Sequence, residues 1–514
     1  MSSSFHAESP PLLRCAGMPG HRLAVLFLCL AVAWLAGNLR AEVVAGRYDM
    51  AVVRDGSTLE TRVIEDWHPW GKGTGIRQKF IEITVCEWWP GQKVRLPVTL
   101  LAPEKGGPCK NVIVDNAGVQ LKAASPAGAK LRLLKENGVG IALIGMTTVD
   151  AMEPLGKLDV GMKEHFLKTK DARFTPAWIW GMSDMRALTA AIAEKDVFQP
   201  VKVIATGGSK RGVATAAAGI ADDRFTAIMP VVSPIIDPPG GPYVEGLQRV
   251  EIVKDNDLFL ADLGAGKIAG ASATAVKPLV SREKVRAAER ITVAEARAAG
   301  WSDAEMQSAS TLAWEVCRTT NYLPALQKRG VEIFYNEGSN DNVSPGLHEL
   351  GRRFPALPIY VVPGGQHGGA KTTGFNKQVG SLAEVDENLF AFAQHHFFGT
   401  RPMVETPHVK TQWVSTTTGG TSHHLLVTMT FPDKAEPQKN ELWWSVNRHP
   451  DYTFAMEYDE WKSVPMRRTG PAKFEAEISP LAKTDTLDFV SVHQHTAAGS
   501  TLTLSSPLLH SKPE

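Results

Sequence analysis

The sequence predicts an α/β protein: a mostly parallel, twisted sheet with helices on both faces, an inserted cap, and a C-terminal β-sandwich-like unit. Three observations carry this. Short apolar runs of the buried, parallel type recur at residues 112–114, 140–144, 201–205, 227–232, 331–335 and 359–362. Segments of helical periodicity stand between several of them. Past Gly399 the pattern changes to period-two alternation between Gly/Pro turns.

Taken in order, residues 79–88 and 94–101 read as a hairpin closed by Trp89-Pro90-Gly91. A helix over 126–137 has Ser125 as N-cap, Pro126 in its first turn and Gly138 just past its end. Further helices are expected over 178–194, 213–220 and 384–398, the last with Leu389, Phe392, Ala393 and His396 on one face. The interval from about 235 to 326 breaks the rhythm. It opens with Pro238, Pro239, Gly240, Gly241 and Pro242 and continues as charged amphipathic helix, which reads as the cap. In the tail, Leu425, Val427, Met429 and Phe431 alternate with their neighbours, as do Phe474, Ala476 and Ile478, and 488–492 and 501–504 are further strand candidates. The expected division is a signal peptide over 1–41, the α/β domain over 42–400 and the β unit over 401–514.

Composition bounds the function. With 43% hydrophobic residues and 21% charged, the chain of 514 residues is not a disordered one. Its 55 Lys+Arg against 54 Asp+Glu give no global field for nucleic acid or an anionic membrane. The uncharged stretch 23–37 after Arg22 has the length and flank of a signal-peptide core, with cleavage expected after Ala41 and a periplasmic or secreted product. If uncleaved, the same stretch would be an N-terminal anchor; no other run suggests a membrane span. Cleavage would remove Cys15 and Cys29, leaving Cys86, Cys109 and Cys317, which allow one bridge at most. No G-x-G-x-x-G, Walker lysine or zinc-spaced Cys/His array is present, so no cofactor or metal is expected. The adjacent histidines 395–396 and 423–424, and the pair 493 and 495, read as surface or packing residues.

The sharpest local signal is Gly207-Gly208-Ser209-Lys210-Arg211-Gly212, at the junction of a strand and an Ala-rich helix. Such a turn strains the backbone of its central residue and exposes a serine hydroxyl at the C-terminal edge of the sheet. There the helix N-terminus and the N–H of Lys210 can stabilise an oxyanion. Arg211 stands beside the hydroxyl as a second substrate-binding candidate. After the next-to-last run of the sheet comes Asp341, and after the last comes His367 in Gly364-Gly365-Gln366-His367-Gly368-Gly369. The imidazole would take the serine proton, and the carboxylate would fix its tautomer. Asp237 is the rival for the acid. The loop after the first parallel run, with Asn116 and Gly118, is the expected source of a second oxyanion donor.

The chain order serine, acid, histidine is that of the α/β-hydrolases. Within that class the sequence resembles the PhoPQ-activated pathogenicity-related proteins, whose nucleophile turn reads G-A-S-K-R-G. The likeness continues through Asp223-Arg224-Phe225-Thr226-Ala227-Ile228-Met229-Pro230, Gly338-Ser339-Asn340-Asp341 and the His367 loop, and more thinly into Glu441-Leu442-Trp443-Trp444 and Trp461. The resemblance implies a serine hydrolase and supplies no substrate. An exported hydrolase of carboxylic esters, small or glycan-linked, is the expected function. A peptidase of the same fold, or a non-catalytic glycan- or protein-binding chain on a hydrolase scaffold, are the alternatives.

Overall fold

The structure, a computed structural model, describes residues 47–116, 122–145, 156–236, 252–253, 257, 261, 264–265, 267, 291–341, 344, 346–367, 382–416, 422–449, 456 and 459–513. The expected signal segment and the 238–242 cluster lie outside them. No described helix is long and apolar enough to cross a membrane.

Runs that are apolar on both faces must be covered on both faces, and one sheet gathers them. Its strands are β1 (Arg62–Pro69), β2 (Ile76–Trp89), β3 (Gln92–Pro103), β4 (Cys109–Asn116), β5 (Gly140–Ile144), β6 (Phe198–Gly208) and β7 (Ala227–Val231). Two short strands, β8 (Ile252–Val253) and β9 (Ile291–Thr292), pair with each other elsewhere, and β10 (Glu332–Ile333), β11 (Tyr335–Gly338) and β12 (Ile359–Val362) complete the sheet. The order is β1-β2-β3-β5-β4-β6-β7-β11-β12, with β10 beside β7. The pairings among β1, β2, β3 and β5 are antiparallel, and from β5 onward every pairing is parallel. Val112, Ile113 and Val114 face Val203, Ile204 and Ala205 in register, all buried. The run expected over 331–335 is divided into β10 and β11.

Strand β1 has no counterpart in the sequence reading. It is an edge strand with no buried residue, and its Val63 and Ile64 are 50% and 44% exposed, so no alternation marks it. The helix expected from Pro126 starts later, at Gly128–Asn137, and Ser125 does not cap it. Its first turn is satisfied from a distant element: Asp386 Oδ2, on the helix Leu382–Ala393, accepts the Ala129 N–H at 2.8 Å. A Cβ on Gly128 would stand 2.3 Å from that oxygen, so only glycine admits the carboxylate. The Leu382–Ala393 helix ends in a π-helical turn, Gln394–Phe398, where His396 is buried against Thr226 Oγ1 at 2.7 Å.

Helix Pro176–Ala193 carries the N-terminal segment. Arg186, 1% exposed, donates to the carbonyls of Val52, Val53, Asp55 and Thr84 and to Thr58 Oγ1. Within the interval read as a cap, Thr292 and Glu295 form a capping box at the start of Val293–Ala298, and Asp303–Glu315 follows. Their small core of Ile291, Ala296, Trp301, Met306 and Ala309 also takes Phe166, from a helix at Gly156–Thr169 that the sequence reading passed over.

The tail forms two antiparallel sheets. Strands β13 (His408–Thr416), β14 (Ser422–Thr430), β15 (Lys439–Val446), β16 (Lys462–Pro465), β17 (Arg467–Gly470), β18 (Lys473–Leu481), β19 (Leu487–Ala497), β20 (Ser500–Ser505) and β21 (Leu509–Ser511) divide as β13-β14-β18-β17 and β16-β15-β19-β20, with β21 on β19. The sheets meet through inward residues: Phe431 lies edge-on to His493 and His495 at 5.1 and 5.2 Å.

Cys86, Cys109 and Cys317 are all unbridged and buried. Burial pushes the Cys86 thiol up to about 12 and that of Cys109 to about 11. Ellman's reagent should therefore leave these three thiols unreacted in the native protein and modify all three after unfolding in guanidinium, as read by peptide mass mapping.

Candidate active site

Strand β6 ends at Gly208 and the helix Lys210–Ala221 begins two residues later, so Ser209 alone turns the chain. Its backbone sits at φ 61°, ψ −125°, a region L-residues rarely adopt, and its N–H donates to Val231 O at 2.9 Å. The neighbouring glycines make the close crossing possible. A Cβ on Gly207 would lie 2.5 Å from Arg211 Cβ, and one on Gly212 would lie 2.7 Å from Ser233 Cβ and 2.9 Å from Val231 O.

The loops after β11 and β12 are bonded to each other. Ser339 N–H donates to Val362 O at 3.0 Å, Asn340 N–H to Gly365 O at 2.9 Å, and Gly364 N–H to Ser339 Oγ at 2.6 Å. This brings His367 between the other two groups: Nδ1 is 3.0 Å from Asp341 Oδ2 and Nε2 is 2.7 Å from Ser209 Oγ. Asp341 is fully buried, while the imidazole is about a third exposed. With Nδ1–H given to the carboxylate, Nε2 is the acceptor for the serine hydroxyl. Parallel strands thus deliver Ser209, Asp341 and His367 to one edge. The rival acid, Asp237, lies outside the described residues.

Behind Asp341 stands a carboxyl the sequence reading missed. Glu337, on β11, is fully buried, accepts the Ser233 N–H at 3.1 Å and is bonded to Ser344 Oγ, which is also 3.3 Å from Asp341 Oδ2. Desolvation first, and the nearby Asp341 charge as well, raise its pKa well above the ordinary value. The apolar run expected over 331–335 stops two residues short of Glu337, so nothing in the sequence marks it as buried.

Two of the remaining candidates, Asn116 and Arg211, line a cavity of about 780 Å³ together with Ser209, Lys130, Asp386, Glu337 and Leu389 among others. Lys210 opens the helix at its positive end, and its ammonium lies 5.8 Å from the centroid of Trp180. Arg211 donates to Asn116 O at 3.1 Å and so ties the Ser209 turn to the end of β4. Asn116 lines the cavity but spends its donors on carboxylates: its N–H goes to Asp115 Oδ1 at 2.7 Å and its amide to Asp184. That differs from the expected oxyanion role, because Asp115 on β4 and Asp184 on the helix Pro176–Ala193, both buried, take those donors. Gly118 lies outside the described residues.

The histidines at 395–396 both approach Glu332 Oε2 at 3.2 Å, and His493 bonds Asn440 Oδ1 and Ser491 Oγ at 3.0 and 2.9 Å. Among the described residues, His348, Asp488 and His510 bring three metal-ligating atoms within 4.8 Å of one another. Asp488 there is also held by Arg448 Nη1 at 3.0 Å.

The strand order and the strained serine turn, with an acid and a histidine supplied after the next-to-last and last strands, define an α/β-hydrolase fold. The family model for PhoPQ-activated pathogenicity-related protein matches residues 165–239, the stretch that contains the Ser209 turn, in line with the resemblance read from the motifs. No curated protein sequence matches the chain. Among solved structures it is similar to an acetyl xylan esterase from Paenibacillus sp. R4, at 15% identity over 66% of this chain and 89% of that one, with a TM-score of 0.34. It is also similar to a cell wall degrading esterase, LipA, from Xanthomonas oryzae, at 11% identity over 67% and 99%, TM-score 0.33. Methylesterase BT1017 matches at 16% identity and TM-score 0.26, and the match spans 39% of this chain and 41% of that one.

The Glu337 carboxyl yields a pH test. A group whose pKa is raised on folding stabilises the fold fully below its unfolded value, near 4.5, and that contribution is lost as pH rises toward the folded value. Glu337→Gln keeps the neutral shape and removes the loss. In urea melts across a pH series, the variant should gain stability relative to wild type as pH rises above 4.5; a pH-independent difference would contradict the raised value.

Proposed function

We propose that this chain is a serine hydrolase acting on carboxylic esters through an acyl-enzyme. The observation that carries the reading is the continuous relay from Ser209 Oγ to His367 Nε2 at 2.7 Å and from His367 Nδ1 to Asp341 Oδ2 at 3.0 Å, opening on a cavity. Ser209 Oγ attacks the acyl carbon while His367 Nε2 takes its proton, and the buried Asp341 carboxylate stabilises the imidazolium. The Lys210 N–H, at the positive end of the helix, faces the developing oxyanion. Collapse returns the proton from His367 to the departing alcohol. Water, deprotonated by the same imidazole, then attacks the acyl carbon; the Ser209 Oγ–acyl bond breaks, the acid leaves and the imidazolium returns its proton to Oγ.

Arg211 lines the cavity beside the nucleophile with its side chain exposed, and its charge favours an ester that carries a negative group. Export through the 23–37 segment, with release to the periplasm or medium, completes the reading.

A fluorophosphonate probe should label Ser209, located by peptide mass spectrometry, and Ser209→Ala should abolish both labelling and hydrolysis of short acyl esters. A folded alanine variant as active as wild type would sink the assignment. Asp341→Asn should keep the fold and lower kcat by about 10,000-fold, through loss of the tautomer it holds.

A further inference from the structure

The turn that carries Asp341 is gripped from outside the main sheet. Asn340 is fully buried, so each atom of its amide needs a partner. Its Nδ2 donates to Asp459 O at 2.8 Å, and its Oδ1 accepts the indole N–H of Trp461 at 2.8 Å. One residue earlier, Arg448 Nη2 donates to Ser339 O. The Arg448 side chain is 2% exposed; Asp488 Oδ2 holds Nη1 at 3.0 Å, Asp459 Oδ2 lies 3.5 Å from Nε, and the guanidinium sits 5.7 Å from the Trp461 ring centroid. Arg448 follows β15, Asp459 and Trp461 precede β16 and Asp488 lies on β19, so every one of these groups comes from the C-terminal β unit.

Asp341 is the next residue after Asn340, and it must meet His367 Nδ1 with a geometry held to a few tenths of an ångström. The bonds within the main domain fix the backbone of Ser339 and Asn340 against the β12 loop. On the outer side of the same turn the β unit takes up the Ser339 carbonyl and both ends of the Asn340 amide, whose Oδ1 also lies 3.4 Å from Ser339 Oγ. We propose that the C-terminal β unit is a working part of the active site, with Trp461 and Arg448 as positioning residues that hold the Ser339–Asp341 turn, and through it the Asp341 carboxylate, against His367. This rests on the reading of Ser209 as nucleophile.

The test compares two indole deletions in the full chain. Trp461→Phe keeps the ring and removes the N–H, leaving Asn340 Oδ1 with the longer 3.4 Å contact from Ser339 Oγ in place of the 2.8 Å indole bond. Trp413→Phe removes an equivalent bond in the same unit, from Trp413 Nε1 to Ser511 Oγ at 2.9 Å, which does not reach the turn. Trp461→Phe should lower kcat on a p-nitrophenyl ester by about 10- to 100-fold with KM unchanged, whereas Trp413→Phe should leave kcat at the wild-type value. Arg448→Lys, which keeps the charge and loses the fork that spans Ser339 and Asp488, should show the same kcat loss and serves if the phenylalanine variant does not fold. Unchanged kcat in folded Trp461→Phe or Arg448→Lys, or an equal loss in Trp413→Phe, overturns the positioning role. Wild-type protein that neither turns over the ester nor takes a fluorophosphonate overturns the nucleophile reading, and the positioning role falls with it.

Discussion

One backbone conformation governs the site. Ser209 must leave a parallel strand and enter a helix within a single residue, and it does so at φ 61°, ψ −125°. Holding a non-glycine residue there costs on the order of 1–3 kcal/mol, which the surroundings must offset. Buried strand pairing of β6 with β4 and β7, the Ser209 N–H bond to Val231 and the glycines at 207 and 212 supply that constraint. Relax the turn and the hydroxyl no longer points at His367. The sheet is thus the jig for one side chain.

A second constraint is electrostatic. Buried carboxyls crowd the edge of the sheet: Asp341, Glu337, Asp115 and Asp184 all lie below the surface. They cannot all carry charge in so little water. Desolvation raises Glu337 and Asp184 well above their ordinary values, whereas Asp115 is paired with Lys130 at 2.9 Å and Asp341 with His367. The acid loop is enclosed on its outer side by Arg448 and Trp461, which makes the C-terminal sheets continuous with the site rather than appended to the domain.

The strands of the main sheet were legible because parallel strands covered on both faces must be apolar throughout, and the serine turn was legible because its geometry demands small residues on both sides. What escaped was set at a distance. β1 is an edge strand without a buried face, so it leaves no pattern. The helix after Ser125 starts where Asp386, more than 250 residues away, can reach its amide, not where the local capping residue stands. Glu337 lies past the apolar run read over 331–335, and only burial and Ser344 give it a place beside Asp341. Nothing local to Arg448 or Trp461 marks them as partners of residues 339 and 340, since that contact exists only after two units of the chain have packed.

The central claim is that a covalent bond forms at Ser209. Acid-quenching the full chain within milliseconds of mixing with a p-nitrophenyl ester, then measuring peptide masses, reads it directly. A transient acyl mass is expected on the peptide containing Ser209, appearing with the first turnover and decaying as substrate runs out. Steady release of p-nitrophenol with that peptide unmodified throughout, or the acyl mass on a different residue, would contradict it.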